Sequence, residues 1–261
     1  MRIPRLVAID IDGTLFDPMT RTISPPVRDT VRRVADSGAH VVLATGRSML
    51  GTVPVLRELD LTSGVALCSN GAVRLDAASG EPVAVETFDP GPVCARLAEH
   101  LPGALFAAEL VGVGSLVTAP FPEGTLTGET RVVSRAELAE RPTPRLIAHW
   151  AEHTPEETLA VVGSLDLPGC HRTIDHYEPW VTVVPDGVTK GSALEKLRTE
   201  LGIPCEDTLA IGDGDNDVEM VSWAAHGIAM AQGPASVHAV ADEIAPAVEQ
   251  DGLADVLSRW F

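Results

Sequence analysis

Two aspartates, Asp10 and Asp12, lie directly after the short apolar run Leu6–Ile9, and Gly13 follows them. The pattern predicts a buried strand that ends by presenting two carboxylates on a sharp turn. Like charges repel, and two unit charges ~4 Å apart cost about 4 kcal/mol at an effective dielectric of ~20. A chain tolerates this cost mainly at a functional site, and a bound divalent cation would offset it. The alternative is an acidic turn without chemistry, because Asp and Gly favour turns.

Further polar groups follow predicted strands or begin predicted helices elsewhere in the chain. Open α/β sheets bind their ligands at the carboxyl ends of the strands, so these positions are candidates for one site. The candidate residues are Asp10, Asp12, Thr45, Gly46, Arg47, Asn70, Lys190, Asp213, Asn216 and Asp217. Each motif alone is weakly specific, whereas their order and predicted setting together indicate a single site.

The elements that must position these residues alternate in the first and last parts of the chain. The predicted strands of the first part are 5–10, 40–44 and 65–68, and the helices between them are 25–37 and 49–59. This βαβαβ order is typical of a parallel sheet covered by helices. After residue 185 the same alternation returns, where Thr189 can cap a helix that begins at Lys190.

The middle of the chain differs, because its predicted helices and strands follow each other in mixed order. Such a segment is typical of an α+β module inserted into the sheet domain. The sequence therefore predicts an α/β fold. Its Rossmann-like parallel sheet core comprises residues 1–88 and 185–261, and an inserted α+β cap domain comprises residues 89–184.

Five short motifs carry a family resemblance. They are Asp-x-Asp-Gly-Thr at 10–14, Ala-Thr-Gly-Arg at 44–47, Ser-Asn-Gly-Ala at 69–72, Lys-Gly at 190–191 and Gly-Asp-x-x-Asn-Asp at 212–217. In this combination the chain resembles the haloacid dehalogenase (HAD) superfamily of aspartate-nucleophile phosphotransferases, and most closely its Cof-type, class IIB phosphatases. Their α+β cap lies between the Ala-Thr-Gly-Arg motif and the Lys-Gly motif. The long interval between Thr45 and Lys190 leaves room for such a cap, whereas the short one between Asp10 and Thr45 does not.

The resemblance implies catalytic roles for several candidates. Asp10 would be the nucleophile that forms an aspartyl-phosphate, and Asp12 would act first as general acid and then as general base. Lys190 would offset the charge between Asp10 and the phosphoryl group. The Thr45 hydroxyl and the Gly46 amide would hydrogen-bond a phosphoryl oxygen.

The resemblance also implies Mg²⁺ as the cofactor. Its ligands would be the Asp10 carboxylate, the Asp12 main-chain carbonyl and the Asp213 carboxylate. Asp217 is placed with the metal site, where it would orient the lysine or a metal-bound water. Asn216 would contact the phosphate or its waters.

Other positions have alternative interpretations. Arg47 either contacts phosphate or substrate, or pairs with an acid to hold its loop. Asn70 either forms a turn or supplies a polar group to the site. In the resembled family, the end of the inserted module faces the active site and selects the substrate. Residues in this part of the chain either contact the substrate or only pack within the cap or face solvent. The residues concerned are His171, His176, Tyr177 and Trp180.

Two further metal sites are weaker hypotheses. His149 and His153 would suit zinc if they shared a helix face, but the apolar run before His149 predicts a strand there. A calcium loop beginning at Asp213 would need Gly and Glu where the chain has Val218 and Ala224.

One segment departs from the family pattern. Members usually carry Asn-Ala shortly after Ala-Met, where this chain has Gln232-Gly233 after Met230. Either Gln232 substitutes for the Asn, or a contact is altered near the loop 212–217, called the metal loop here because the resemblance places a metal ligand in it.

The bulk composition limits the partners. The 261 residues are 45% hydrophobic and carry a formal net charge of -18, which repels nucleic-acid phosphates. The four cysteines form no Cys-x-x-Cys pair, so a zinc ribbon or dithiol motif is not indicated. No signal-peptide core precedes Asp10, and the least polar stretch, 110–122, is too short to span a bilayer. We therefore expect a cytoplasmic monomer or homodimer without a membrane partner.

The expected activity is Mg²⁺-dependent hydrolysis of small phosphomonoesters, with sugar phosphates as the leading class. The Asp at position 12 implies a leaving group that needs a proton, which fits a phosphatase or a phosphomutase. A phosphohexomutase is therefore the alternative enzyme. A non-catalytic phospholigand-binding protein is the third hypothesis.

Overall fold

The computed structural model describes residues 2–261. The strands are β1 (Leu6–Ile9), β2 (His40–Leu43), β3 (Val65–Cys68), β4 (Val73–Asp76), β5 (Pro82–Val85), β6 (Leu105–Leu110), β7 (Gly114–Val117), β8 (Glu129–Val132), β9 (Leu146–His149), β10 (Cys170–Ile174), β11 (Trp180–Pro185), β12 (Thr208–Gly212), β13 (His226–Met230) and β14 (Glu243–Ala245). The helices are α1 (Pro25–Asp36), α2 (Met49–Glu58), α3 (Pro90–His100), α4 (Arg135–Leu138), α5 (Pro155–Val162), α6 (Lys190–Glu200), α7 (Val218–Trp223), α8 (Ala235–His238) and α9 (Gly252–Leu257). None of these helices has both the length and the apolar character needed to cross a membrane.

The central sheet has the strand order β14-β13-β12-β1-β2, and every neighbouring pair is parallel. A parallel bridge between Ala44 and Leu67 joins β3 to its edge, and β3, β4 and β5 form an antiparallel extension. The chain order reverses at β1, which lies between β2 and β12. The predicted Rossmann-like parallel sheet is therefore confirmed, and its switch point lies at β1.

Strand β1 is apolar along its whole length because both of its faces are covered. Val7 and Ile9 pack against α1, α2 and α9 on one side of the sheet. Leu6 and Ala8 pack against α6 and α7 on the other side. This alternation follows the two-residue period of a strand and buries the base of the site.

The cap sheet has the order β10-β11-β9-β6-β7-β8 and is antiparallel except for the pair β7 and β8. Helices α3, α4 and α5 cover one of its faces. The other face, called the open face here, includes the cross-strand row Thr173, Thr182, Ile147 and Ala107. The predicted α+β cap is confirmed, whereas its boundaries at residues 89 and 184 stay a prediction.

Several predicted elements differ from the observed ones. The sequence analysis did not predict β8, because all four of its residues are exposed and lack strand-like alternation. This edge strand forms through backbone pairing with β7. The elements predicted over 5–10, 40–44, 25–37 and 49–59 form as β1, β2, α1 and α2, and each is one or two residues shorter than predicted.

Candidate active site

The carboxyl ends of three adjacent strands define the site. Ile9 in β1 pairs in register with Ile211 in β12 and with Leu43 in β2. Asp10 therefore lies at the same sheet edge as the residues that directly follow β12 and β2. The amino end of α6 approaches the same edge, where the hydroxyl of its N-cap Thr189 accepts a hydrogen bond from the Ser192 N–H.

Three buried acids and one buried lysine form the centre of the site. Asp10, Asp213 and Asp217 each offer a carboxylate oxygen within 4.8 Å of the others. The Lys190 ammonium donates to Oδ1 of Asp10 and to Oδ1 of Asp217, each at 2.6 Å. The lysine side chain is 0% exposed. With all three acids ionised, one ammonium would leave the cluster negatively charged.

Burial determines the titration of this cluster. It raises the pKa of Asp10 to about 7, and the charges of Asp217 and Asp12 add to this effect while Lys190 opposes it. Burial and the same kind of repulsion raise the pKa of Asp213 well above its usual range. Burial would lower the pKa of Lys190, but its two acidic partners outweigh burial and raise it. The single ammonium of Lys190 therefore does not balance the three carboxylates, and a further positive charge would stabilise their ionised forms.

The donor set fits a hard divalent cation. Asp10 and Asp213 supply oxygen ligands of the kind Mg²⁺ prefers. The Thr14 hydroxyl donates to Oδ1 of Asp213 at 2.9 Å and orients that carboxylate. Oδ2 of Asp217 accepts from the N–H groups of Asp213 and Gly214, both at 2.9 Å. Since its Oδ1 accepts from the lysine, Asp217 holds both the ammonium and the metal loop.

Gly13 is required by a close approach. Its φ is +86°, and a Cβ there would lie 2.1 Å from Oδ2 of Asp213. The same turn is held from the other side, because Nε2 of Gln232 donates to the Gly13 carbonyl at 2.5 Å. Oε1 of the same Gln232 side chain accepts from the Val248 N–H at 3.2 Å, so this side chain links the Gly13 turn to the segment at Val248.

Asp12 is not part of the buried cluster and is paired with Arg47. The guanidinium donates from Nε and Nη2 to the two Asp12 oxygens at 2.7 and 2.5 Å and lies 4.8 Å from the Phe16 ring centroid. Burial would lower the pKa of Arg47, but hydrogen bonding and charge from Asp12 raise it. The acid-pairing alternative for Arg47 is therefore present in the structure. The Asp12 side chain is 49% exposed and can meet a leaving group.

The loop after β2 presents two hydrogen-bond donors. Oγ1 of Thr45 accepts from the Arg47 N–H at 3.0 Å, which leaves the hydroxyl proton available for a ligand. The Gly46 N–H makes no hydrogen bond within residues 2–261. A Cβ on Gly46 would lie 3.3 Å from Oδ1 of Asn70. The loop is thus packed closely against the segment that follows β3.

Asn70 lies in a left-handed turn, and its side chain reaches two other segments. Its φ of +54° is left-handed, as a turn former requires. Its Oδ1 accepts from Nδ2 of Asn216 at 3.0 Å, and its Nδ2 donates to the Thr173 hydroxyl of the cap at 3.4 Å. The side chain therefore joins the metal loop to the open face of the cap.

The cap residues named in the sequence analysis lie in different surroundings. Nε2 of His171 lies 3.8 Å from Oε1 of Glu219 in α7. Tyr177 is 56% exposed, and its ring lies against that of His176 with the centroids 4.0 Å apart. The Trp180 ring packs within the cap, 5.8 Å from the Phe121 centroid.

The histidine pair considered for zinc is not assembled. His149 lies in β9 with its ring 5.2 Å from that of Trp180, whereas His153 stacks on Trp150 at 3.4 Å. The calcium-loop aspartate Asp215 instead accepts a hydrogen bond from the Ser236 hydroxyl.

A cleft of about 720 Å³ adjoins the site between cap strand β10 and the core. Thr173 lines it from the cap, and Asp215 and Glu219 line it from the core. Since the Thr173 hydroxyl contacts Asn70, the cleft reaches the edge of the candidate site.

Sequence reasoning missed two residues that reach the site from the cap. Glu109 is buried in β6, and Arg145 donates from Nη1 to the Gly46 carbonyl. An acid within the otherwise apolar run 105–110 is a signal that could have identified Glu109. Nothing comparable distinguishes Arg145 in the sequence.

A family model of haloacid dehalogenase-like hydrolases matches residues 7–101 and 153–257. A Bacillus subtilis protein named 5-amino-6-(5-phospho-D-ribitylamino)uracil phosphatase is 27% identical, over 99% of this chain and 98% of its own.

Two solved structures share the fold. One is a haloacid dehalogenase-like hydrolase from Bacteroides thetaiotaomicron, with a TM-score of 0.79 and 25% identity over 99% of this chain and 100% of that one. The other is a HAD subclass IIB sugar phosphatase, with a TM-score of 0.83 and 22% identity over 98% of both chains. The second likeness concerns the fold alone.

Proposed function

Because the chain belongs to the haloacid dehalogenase-like hydrolase family and is a phosphatase of that family, we propose that it hydrolyses small phosphomonoesters through a phosphorylated Asp10. Sugar phosphates are the leading substrate class. The observation that carries the proposal is the Asp10 carboxylate, held by Lys190 beside Asp213 at the sheet edge. The Bacillus subtilis relative is named for a phosphorylated ribityl compound, which supports sugar-like leaving groups.

The first step is attack by Asp10 on phosphorus. Lys190 holds Oδ1, and Oδ2 accepts no hydrogen bond from residues 2–261, so this oxygen is free to attack. Asp12 enters this step protonated, after the bound ester has opened its pair with Arg47, and it gives this proton to the leaving alkoxide as the ester bond breaks. Asp12 then removes a proton from the water that hydrolyses the aspartyl-phosphate, and inorganic phosphate is released.

Protein donors stabilise the phosphoryl oxygens during both steps. The Thr45 hydroxyl and Gly46 N–H are available for hydrogen bonding, and the Lys190 ammonium supplies charge. Such preorganised donors stabilise a transition state strongly when water is excluded. Asn216 contributes from the metal loop, where Asn70 fixes its amide.

The Asp10 and Asp213 carboxylates and the Asp12 main-chain carbonyl would hold Mg²⁺. When bound, Mg²⁺ supplies the positive charge that lets an anionic carboxylate approach a phosphate dianion. Asp217, bonded to Lys190 and to the loop N–H groups, is assigned to positioning.

The metal proposal predicts a pH-dependent stabilisation. The folded-state pKa of Asp10 is raised from 3.8 to about 7. Its stabilising contribution is therefore fully present below pH ~4 and is lost as pH rises through ~7. Without metal, the melting temperature should fall between pH 5 and pH 8. Saturating Mg²⁺ should raise the melting temperature by about 5–10 °C at pH 8. The rise should be smaller at pH 5, where protons compete with Mg²⁺ for the carboxylates.

Thermal unfolding with EDTA or Mg²⁺ measures this effect. Asp213→Asn should abolish most of the Mg²⁺ response, whereas Asp215→Asn, two positions along the same loop, should keep it. An equal Mg²⁺ response in both variants would contradict the assigned ligand set.

The acid role of Asp12 predicts a dependence on the leaving group. In Asp12→Asn, release of phosphate from an alkyl phosphate should fall about 10²–10⁴-fold, the usual contribution of a general acid or base. With a p-nitrophenyl ester, the rate of the first step should fall less in this variant, because the nitrophenolate leaving group needs no proton. Pre-steady-state bursts of nitrophenol and of alcohol separate that step from hydrolysis. Equal losses in this step for both esters would argue against the acid role.

A panel of phosphorylated metabolites tests the activity itself. Free phosphate as the product supports the phosphatase, and isomerised sugar phosphate without phosphate release would indicate a phosphohexomutase. Tight binding of one phospholigand without turnover across the panel would indicate a binding protein.

A further inference from the structure

Three consecutive residues after β3 adopt left-handed backbone conformations. Ser69, Asn70 and Gly71 have φ of 50°, 54° and 99°. Gly adopts this region freely and Asn tolerates it, whereas Ser is strained there. Such a loop keeps its conformation only when surrounding contacts hold it.

The cap supplies one of these contacts. The Ser69 hydroxyl donates to Oε2 of Glu109 at 2.6 Å. Nε of Arg145 lies 2.9 Å from the same oxygen. Both charged side chains are largely buried, since Glu109 is 2% exposed and Arg145 is 11% exposed. Nη1 of Arg145 also donates to the Gly46 carbonyl. One buried ion pair of the cap thus contacts two loops of the core.

These two core loops are bonded to each other. The Ser69 N–H donates to the Arg47 carbonyl at 2.8 Å, and the Asn70 N–H donates to the Thr45 carbonyl at 2.9 Å. Contacts at Ser69 and Gly46 therefore fix both loops as one unit. This unit carries the Thr45 hydroxyl and the Gly46 N–H assigned to phosphoryl binding, and the Asn70 side chain that holds the Asn216 amide.

We propose that the Glu109–Arg145 ion pair positions the phosphoryl-binding loops, so that they reach their productive geometry only when the cap rests on the core. The inference rests on the proposed function. Both members of the pair are positioning residues, because they act through Ser69 and Gly46. A ligand that prevents the cap from seating would bind but be turned over slowly.

Arg145→Met tests this positioning. It removes the bond to Gly46 and leaves Glu109 without its cation. A displacement of about 1 Å in a catalytic loop can cost about 10²-fold in rate, so kcat should fall about 10–100-fold while KM changes less than about threefold. Orthovanadate, measured with Mg²⁺ by calorimetry, should bind more weakly, since it mimics the transferring phosphoryl group.

Arg172→Met is the matched control. Arg172 also donates to backbone carbonyls, those of Leu165 and Gly163, but both lie within the cap. Because Arg172 also lines the cleft beside the site, vanadate affinity is the readout that compares the two variants. In Arg172→Met it should stay within about threefold of the wild type while the melting temperature falls. The comparison separates loop positioning from stability of the cap.

Glu109→Gln provides a second variant that does not depend on how Arg145→Met folds. Gln keeps an acceptor for Ser69 but loses the charge that faces Arg145. We expect an intermediate loss of kcat and of vanadate affinity. Arg145→Lys should recover part of the loss, because it restores a cation beside Glu109.

Two results would overturn the positioning role. One is wild-type kcat and wild-type vanadate affinity in both Arg145→Met and Glu109→Gln. The other is a loss of vanadate affinity in Arg172→Met that equals the loss in Arg145→Met. Weaker vanadate binding in the two variants of the pair, in a protein that hydrolyses no phosphomonoester, would support the positioning and reject the proposed activity instead.

Discussion

Asp10→Asn is expected to lower phosphate release by about 10⁴-fold or more, the scale of loss when a covalent nucleophile is removed. The amide nearly preserves the shape of the side chain, so Lys190 can still meet an oxygen at this position. It cannot form the acyl-phosphate, because a neutral amide is a poor nucleophile. Steady-state phosphate release with a sugar phosphate and Mg²⁺ measures the loss.

A trapping experiment distinguishes a missing nucleophile from a damaged fold. Acid quenching of the wild type and Asp12→Asn during turnover should yield a phosphoprotein that hydroxylamine cleaves, as an acyl-phosphate is cleaved. Asp10→Asn should yield none, although its unfolding transition remains cooperative. Near-normal turnover by Asp10→Asn with Mg²⁺ would reject the aspartyl-phosphate mechanism.

Lys190→Met is expected to affect both activity and stability. The ammonium is fully buried and contacts Asp10 and Asp217, so its removal leaves neighbouring acids without their cation. Breaking a buried ion pair on one side typically costs about 3–5 kcal/mol of unfolding free energy. Turnover should fall about 10²–10³-fold with the loss of a charge aimed at the phosphoryl group.

Lys196→Met is the control for this substitution, because Lys196 lies on the same helix but is 58% exposed and pairs with Glu86. A surface pair contributes about 0–1 kcal/mol, so this variant should resemble the wild type. Urea unfolding in EDTA at pH 8 and pH 5 compares the two. The cost of Lys190→Met should shrink at pH 5, where protonation of Asp10 and Asp213 relieves repulsion. Equal stability of both variants at pH 8 would contradict the electrostatic account of the cluster.

The sequence by itself determined the groups that are local to one strand end or one helix start. Asp10 and Gly13 follow a fully apolar strand, and Lys190 follows a helix cap at Thr189. Strand periodicity and capping act over a few residues, so these placements can be predicted without knowing the rest of the chain. The parallel order of the core followed from the same local patterns.

Only the tertiary structure decided which distant group each of several polar side chains contacts. Arg47 meets Asp12, and Gln232 meets the Gly13 carbonyl, through contacts across distant parts of the chain. The cap residues Glu109 and Arg145 reach the core loops in the same way. Such contacts depend on strand register and on how the cap sheet packs against the core, and no short sequence pattern encodes either. The physical reason is that local patterns specify where a side chain begins, whereas long-range packing specifies where its charged end lies.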